Sequence, residues 1–307
     1  MSGAAIQIEG LTKVYQGEIG KPRVTGLKDL NCVVNAGEVY AFLGPNGAGK
    51  TTAIKCMTRL LRPTRGRIQI LGRDGRRRET MNRVGYLPEQ PNLYGYLTGR
   101  EFLDFIARLF SLSAKWRKQR IDSLMHRVGM ADKASMLIRN YSRGMMQRLG
   151  LAQALINDPD VLILDEPMAS LDPVGRKDFR DLILECKKEG KTVFFSSHIL
   201  SDAELIADRV GIIKDGHLLR EGNLHELISG QITSVEVTFQ VDEIRLKALS
   251  VPAGNMIRQD PNIMIRLPGL DAVPGILEQI GQCGGRIISV IPQKKSLESY
   301  FMDELRR

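Results

Sequence analysis

The stretch Gly44-Pro45-Asn46-Gly47-Ala48-Gly49-Lys50-Thr51-Thr52 decides how the rest of the chain is read. It follows the pattern GxxxxGK with a hydroxyl residue next. It lies between an apolar run, VYAFL at 39–43, and a segment of helical character at 50–61. That strand–loop–helix context is what the pattern requires physically. Glycines let successive backbone N–H groups converge on phosphate oxygens, and the N-terminus of the following helix adds its dipole. Lys50 is placed to reach β- and γ-phosphates, and the Thr51 hydroxyl to ligate Mg²⁺.

Working outward, VLILDE at 161–166 is an apolar strand ending in two carboxylates. Asp165 suits the role of holding Mg²⁺ through water, and Glu166, at the exposed strand end, suits a base that orients attacking water. No NKxD guanine-reading motif occurs, which disfavours GTP. Residues 178–189 have helical spacing, with Phe179, Leu182, Ile183 and Cys186 on one face. TVFFSS (192–197), a helix near 200–207 and RVGII (209–213) follow, and residues 214–217 read as a hairpin turn. Strands alternating with helices predict a mostly parallel sheet covered on both faces. Between 99 and 153 no strand pattern is found, so that stretch reads as an inserted helical subdomain.

The pattern changes near residue 230. SVEVTFQV (234–241) and NIMIRL (262–267) alternate, 271–282 is helical, RIISVI (286–291) is a strand and SLESYFMDEL (296–305) a closing helix. The expected division is an ATPase-sized domain at 1–230 and a small α/β domain at 231–307. The small domain holds nine basic and nine acidic residues, so the net charge of +9 lies wholly in the first 230. Part of that excess is local, in Arg62, Arg65, Arg67, Arg73, Arg76, Arg77, Arg78 and Arg83, and again in Lys115, Arg117, Lys118 and Arg120. Such patches attract anions or form a solvated face. Without interleaved aromatics they do not make a single-strand nucleic-acid groove, and no nucleic-acid partner is expected. Cys32, Cys56, Cys186 and Cys283 form no CxxC pair, which argues for reduced, buried, structural thiols. No apolar run approaches the roughly 20 residues of a membrane span, and the start carries no signal-peptide pattern, so a cytoplasmic protein is expected.

Six motifs now stand in order: GPNGAGKTT (44–52), PEQ (88–90), YSRGMMQRLGLAQAL (141–155), VLILDEP (161–167), ASLD (169–172) and SSH (196–198). Together, over roughly residues 5–225, they resemble the nucleotide-binding subunit of ABC transporters. The resemblance implies a P-loop ATPase fold with a mostly parallel core, an antiparallel β subdomain and an inserted helical subdomain, using ATP and Mg²⁺. It implies that Tyr15 stacks on adenine and that Gly44, Pro45, Asn46, Gly47, Ala48, Gly49, Lys50, Thr51 and Thr52 wrap the phosphates. Gln90 would contact Mg²⁺ or water and sense the membrane partner, completing a metal set with Thr51 and Asp165. Glu166 would be the catalytic carboxylate and His198 the contact to the γ-phosphate. In this family two subunits pack head to tail, so Ser142 and the backbone of Gly144 would meet the γ-phosphate of the other subunit, and Asp172 would couple the two sites. The common signature LSGGQ is here Tyr141-Ser142-Arg143-Gly144-Met145, which keeps the serine and second glycine but loses the first glycine and the glutamine.

The closing SLESYFMDEL is similar to a short motif of drug, polysaccharide and lipid exporter subunits. The function implied is the ATP-hydrolysing motor of a transporter. It would dimerise, as a homodimer rather than a heterodimer, and drive a separately encoded membrane permease from the inner face of the cell membrane, for export. The alternative is a non-transport ATPase of the same fold that acts as a switch on a soluble or nucleic-acid partner. Against it, Ser142 follows Lys50 by only 92 residues with no heptads between, the cysteines are not clustered, and there is one cassette.

Overall fold

Strands without a solvent-facing side form the centre of the first part of the chain. In the computed structural model, which describes residues 3–16, 23–228, 232–242, 246, 256–294 and 296–306, β3 (Val39–Leu43), β7 (Val161–Leu164) and β8 (Thr192–Ser197) are buried at every position. Strands buried on both faces belong in a parallel sheet with helices on either side. The sheet has the order β10-β9-β3-β8-β7-β6, with β6 (Val84–Leu87), β9 (Arg209–Lys214) and β10 (His217–Asn223) completing it. All pairs are parallel except β10 with β9. That hairpin turns through Asp215 and Gly216, both at positive φ (50° and 83°), as a tight twisted hairpin requires.

A second sheet, β2-β1-β4-β5, is antiparallel. It is built from β1 (Ala4–Tyr15), β2 (Val24–Asn35), β4 (Arg65–Ile70) and the short β5 (Arg73–Asp74). Its inward residues Ile6, Ile8, Leu11, Leu27, Leu30, Ile68 and Ile70 join Tyr40, Phe42 and Phe194 of the parallel sheet in one core. Helix α1 (Lys50–Met57) contributes Ala53, Ile54 and Met57 to it. The helix is shorter than the expected 50–61, because Thr58 caps it and Arg59 then takes a positive φ of 63°.

After α2 (Arg78–Met81), the expected helical subdomain is α3 (Gly99–Leu109), α4 (Ala114–Arg127) and α5 (Arg143–Ala154), which pack on one another. Each starts on a side-chain cap. Thr98 with Glu101 forms a full capping box, Ser113 accepts from the Trp116 N–H, and Ser142 from the Met145 N–H. α6 (Pro173–Lys188) starts five residues earlier than its apolar face predicts, because Asp172 caps it and Pro173 occupies its first turn. α7 (Leu200–Ile206) completes this part, and α8 (Leu224–Ile228) follows β10.

The chain divides into two compact units, 1–224 and 225–306, and the boundary expected at residue 230 falls outside the described residues. The second unit is an antiparallel sheet, β12-β13-β11-β14, of β11 (Ile232–Gln240), β12 (Met256–Gln259), β13 (Asn262–Leu267) and β14 (Arg286–Lys294). The alternation read from sequence puts Val235, Val237 and Phe239 beside Ile263, Ile265 and Leu267, and Val273, Ile276 and Ile280 of the helix Val273–Gln282 cover them. A helix Leu297–Arg306 follows. Of the four free thiols, Cys32, Cys56 and Cys186 are buried as expected, whereas Cys283 is only half-buried. No described helix is long and apolar enough to cross a membrane.

Candidate ATP site

The carboxyl ends of β3, β8 and β7 lie side by side, which is where open α/β sheets bind ligands. β3 delivers the glycine loop, β7 delivers Asp165 and Glu166, and β8 delivers Ser196, Ser197 and His198. The loop needs its glycines at defined points. Gly49 has φ of 111°, and a Cβ there would sit 2.5 Å from the Gly26 carbonyl oxygen. No other residue fits that turn, which directs the first N–H groups of α1 into the cleft.

Lys50 folds back into the loop. Its ammonium donates to the carbonyls of Gly44 at 2.6 Å and Pro45 at 3.2 Å, and lies 3.1 Å from Glu166 Oε1. Lys50 and Glu166 are both buried, so this is a desolvated ion pair. The other carboxylate oxygen of Glu166, Oε2, is 2.8 Å from His198 Nδ1. Glu166 itself takes a positive φ of 46°, a conformation a bulky residue adopts only where surrounding contacts hold it. Here the holding contact is the buried Ser196 hydroxyl, which accepts from the Glu166 N–H at 2.9 Å and donates to Asp165 Oδ1 at 2.7 Å.

Asp165 is 1% exposed. Burial pushes its carboxyl above the usual carboxylate range, against the pull of hydrogen bonds from Ser196 and Thr51. The Thr51 hydroxyl donates to the same Oδ1 at 3.3 Å. A hydroxyl and a buried carboxylate side by side suit a small hard dication, whose charge would offset the burial that now opposes ionisation.

These groups border a cleft of about 490 Å³, which Tyr15, Asn46, Gly47, Gly49, Lys50, Thr51, Thr52, Glu166 and His198 line. Tyr15 is 37% exposed, and its hydroxyl is 3.1 Å from Thr52 Oγ1. The exposed ring face fits a stacking platform. Gly44 and Pro45 take part through their carbonyls, and buried Ala48 ties the loop to the β9–β10 turn by accepting from the Gly216 N–H at 2.9 Å.

Gly44, Pro45 and Ala48 of the loop and Asp165, bonded to Thr51, do not line the cleft, and four further expected residues stand apart from it. Ser142, Gly144 and Asp172 meet one another around a separate recess of about 450 Å³, together with Arg143, Met145, Leu171 and Val174. Asp172 is also the cap of α6, its Oδ1 accepting from the Gly175 N–H at 2.7 Å. Gln90 is the other exception. It borders a third recess with Pro91, Asn92, Arg143, Met146 and Gln147, whereas its neighbour Glu89 lines both that recess and the cleft. Glu89, and not Gln90, thus borders the cleft in this structure. The backbone here is held by the Gln147 side chain, which donates to the Glu89 carbonyl at 3.2 Å. Sequence reasoning also passed over Thr25 and Gly26, which line the cleft from β2, and Ser196, whose only trace was its place before His198.

Comparison with known proteins agrees with this geometry. A family model described as ABC transporter matches residues 27–169. An uncharacterized ABC transporter ATP-binding protein of Nostoc sp. is 41% identical over 99% of this chain and 90% of its own length. The bacitracin transport ATP-binding protein BcrA of Bacillus licheniformis is 42% identical over 70% of this chain and 69% of its own length. Among solved structures, an ATP-binding subunit of an ABC transporter has a TM-score of 0.65 at 30% identity, covering 73% of this chain and 91% of that one. The cassette MJ0796, solved as a dimer in a post-hydrolysis state with ADP and Pi, also scores 0.65, at 25% identity over 71% and 98%. With a near full-length relative, a P-loop ATPase fold and a cleft that gathers the phosphate loop, two carboxylates and a histidine, the chain belongs to the ABC transporter family as an ATP-binding, ATP-hydrolysing protein.

Proposed function

We propose that this chain is the motor of an exporter, working as a head-to-tail homodimer on a separately encoded membrane permease. One observation carries the reading. Lys50, Thr51, Glu166 and His198 surround one cleft, with buried Asp165 bonded to Thr51, while Ser142, Gly144 and Asp172 surround another recess of the same unit. A single copy thus presents two half-sites, and a second copy in reversed orientation supplies what each lacks. The family's pattern and the dimeric cassette among its structural neighbours support this. The relative named for bacitracin transport supports export.

In the proposed site Tyr15 stacks on adenine and the 44–52 loop wraps the phosphates. Thr51 and Asp165 hold Mg²⁺, which would neutralise phosphate charge. Phosphate oxygens compete with Glu166 for the Lys50 ammonium, leaving the Glu166 carboxylate to orient water, with His198 beside it. Ser142 and the Gly144 N–H close the site from the partner copy. The permease docks near the loop at 89–96 and the helical subdomain, which places the protein at the inner membrane face. The unit at 225–306 serves dimerisation or regulation.

The test is tagged Glu166→Gln protein in its native cell, membranes solubilised with MgATP. A dimer and a multi-spanning membrane protein in near-equal amount are expected. Recovery of soluble proteins or nucleic acid alone would overturn the transport reading, and unchanged turnover would remove Glu166 from its role.

A further inference from the structure

Between the end of α1 and β5 the first unit carries charge that the ATP site does not use. A recess of about 270 Å³ opens there, floored by Cys56, Met57 and Ile68. Its charged walls are Arg59, Arg62, Arg65, Arg67 and Arg76, and among the described residues no Asp or Glu lines it. It shares no lining residue with the ATP cleft.

The arginines are not equivalent. Arg67 pairs with Glu9 at 2.7 Å and Arg76 with Asp74 at 3.0 Å, so those two are neutralised locally. Arg59, Arg62 and Arg65 make no ion pair among the described residues. Lys13 adds charge behind them, its ammonium donating to the Arg62 carbonyl at 2.9 Å. Arg59 also sits at positive φ, 63°, directly after the cap of α1. Glycine takes that conformation without strain, yet an arginine holds it, and the turn brings its side chain to the recess. A solvated basic face needs neither concavity nor a strained arginine.

We propose that this recess binds a compact phosphate-bearing anion. Guanidinium forks match phosphate oxygens two at a time, and three of them without counter-charges around one hollow are a phosphate's complement. At about 270 Å³ the recess is roughly half the ATP cleft of about 490 Å³ and gives room for a phosphate or diphosphate group. The same chemistry is presented by free diphosphate and by the headgroup of an anionic lipid. The proposal does not depend on the transport reading.

The experiment uses the full chain carrying Lys50→Ala, to remove the main phosphate contact of the ATP cleft. Inorganic pyrophosphate is titrated by calorimetry at low salt, and vesicles with and without phosphatidic acid are tested by co-sedimentation. Binding to at least one probe is expected, weakened on the order of tenfold or more by Arg59→Gln/Arg62→Gln/Arg65→Gln and by raised salt. Lys115→Gln/Lys118→Gln, a distant exposed pair, should leave it unchanged. Binding of pyrophosphate assigns a soluble ligand, and binding only of phosphatidic acid vesicles assigns the lipid. If the triple variant unfolds early, the single variants Arg62→Gln and Arg65→Gln replace it, each expected to weaken binding by about threefold. No binding of either probe, or equal loss in the lysine control, overturns the proposal.

Discussion

Ser196→Ala removes one oxygen and loosens both carboxylates at once. The Ser196 hydroxyl is fully buried and bonded on both sides, to Asp165 at 2.7 Å and from the Glu166 N–H at 2.9 Å. A hydrogen bond to a charged group contributes about 1.5–3 kcal/mol, and a buried N–H left without an acceptor costs about 1–3 kcal/mol. The two losses share one atom and one neighbourhood, so they do not add fully, and about 3 kcal/mol is expected. Trp116 is the only tryptophan and lies in α4, so its fluorescence reads the first unit without the second. At a urea slope of about 2–3 kcal/mol per molar, the midpoint should fall by about 1 M. Turnover should fall by at least tenfold, since the positive φ of Glu166 loses the contact that holds it. Ser197→Ala is the control, because among the described residues the Ser197 hydroxyl bonds only the Ile199 backbone. An unfolding midpoint and turnover like those of the parent would refute the argument that Ser196 positions the pair.

Four further outcomes follow from the geometry. Glu89→Ala should lower kcat about tenfold or more while Gln90→Ala stays within about twofold; the reverse order in steady-state assays would return the contact to Gln90. Gly49→Ala should weaken nucleotide affinity by more than tenfold, read by equilibrium binding, because its Cβ meets the Gly26 carbonyl at 2.5 Å and its φ is 111°. The raised Asp165 group binds a proton in the folded state before the unfolded chain does, so its contribution to stability falls as pH rises from 3.8 through the folded value. Asp165→Asn should remove that part of the pH slope in Trp116 unfolding curves, and an unchanged slope would contradict it. Asp172→Ala should cost about 1 kcal/mol through the lost α6 cap, measured by the same curves.

The parallel core was legible because its strands are continuous apolar runs, and the phosphate loop because its glycines have no other use at that spacing. Boundaries were less so. The apolar face of α6 begins at Phe179, but the helix begins where Asp172 and Pro173 permit it, a signal of capping and not of period. That Glu89 borders the cleft while Gln90 does not has a related reason. In a loop after β6, which of two adjacent polar side chains faces a ligand depends on backbone torsions fixed by a distant partner, here Gln147 bonding the Glu89 carbonyl. Ser196 was passed over because a serine in a strand has no pattern of its own.

The Lys50–Glu166 pair has a consequence for discrimination. In the structure the loop's ammonium has two carbonyls and a carboxylate around it. An incoming anion must therefore replace contacts that exist. Chloride, meeting this one cation, is a poor substitute for a buried carboxylate. A polyphosphate chain engages the loop N–H groups, Lys50 and Thr51 together, and can outbid it. The pair would thus set a threshold that favours long phosphate chains over simple anions such as chloride, with the Glu166 carboxylate holding the ammonium until such a chain binds.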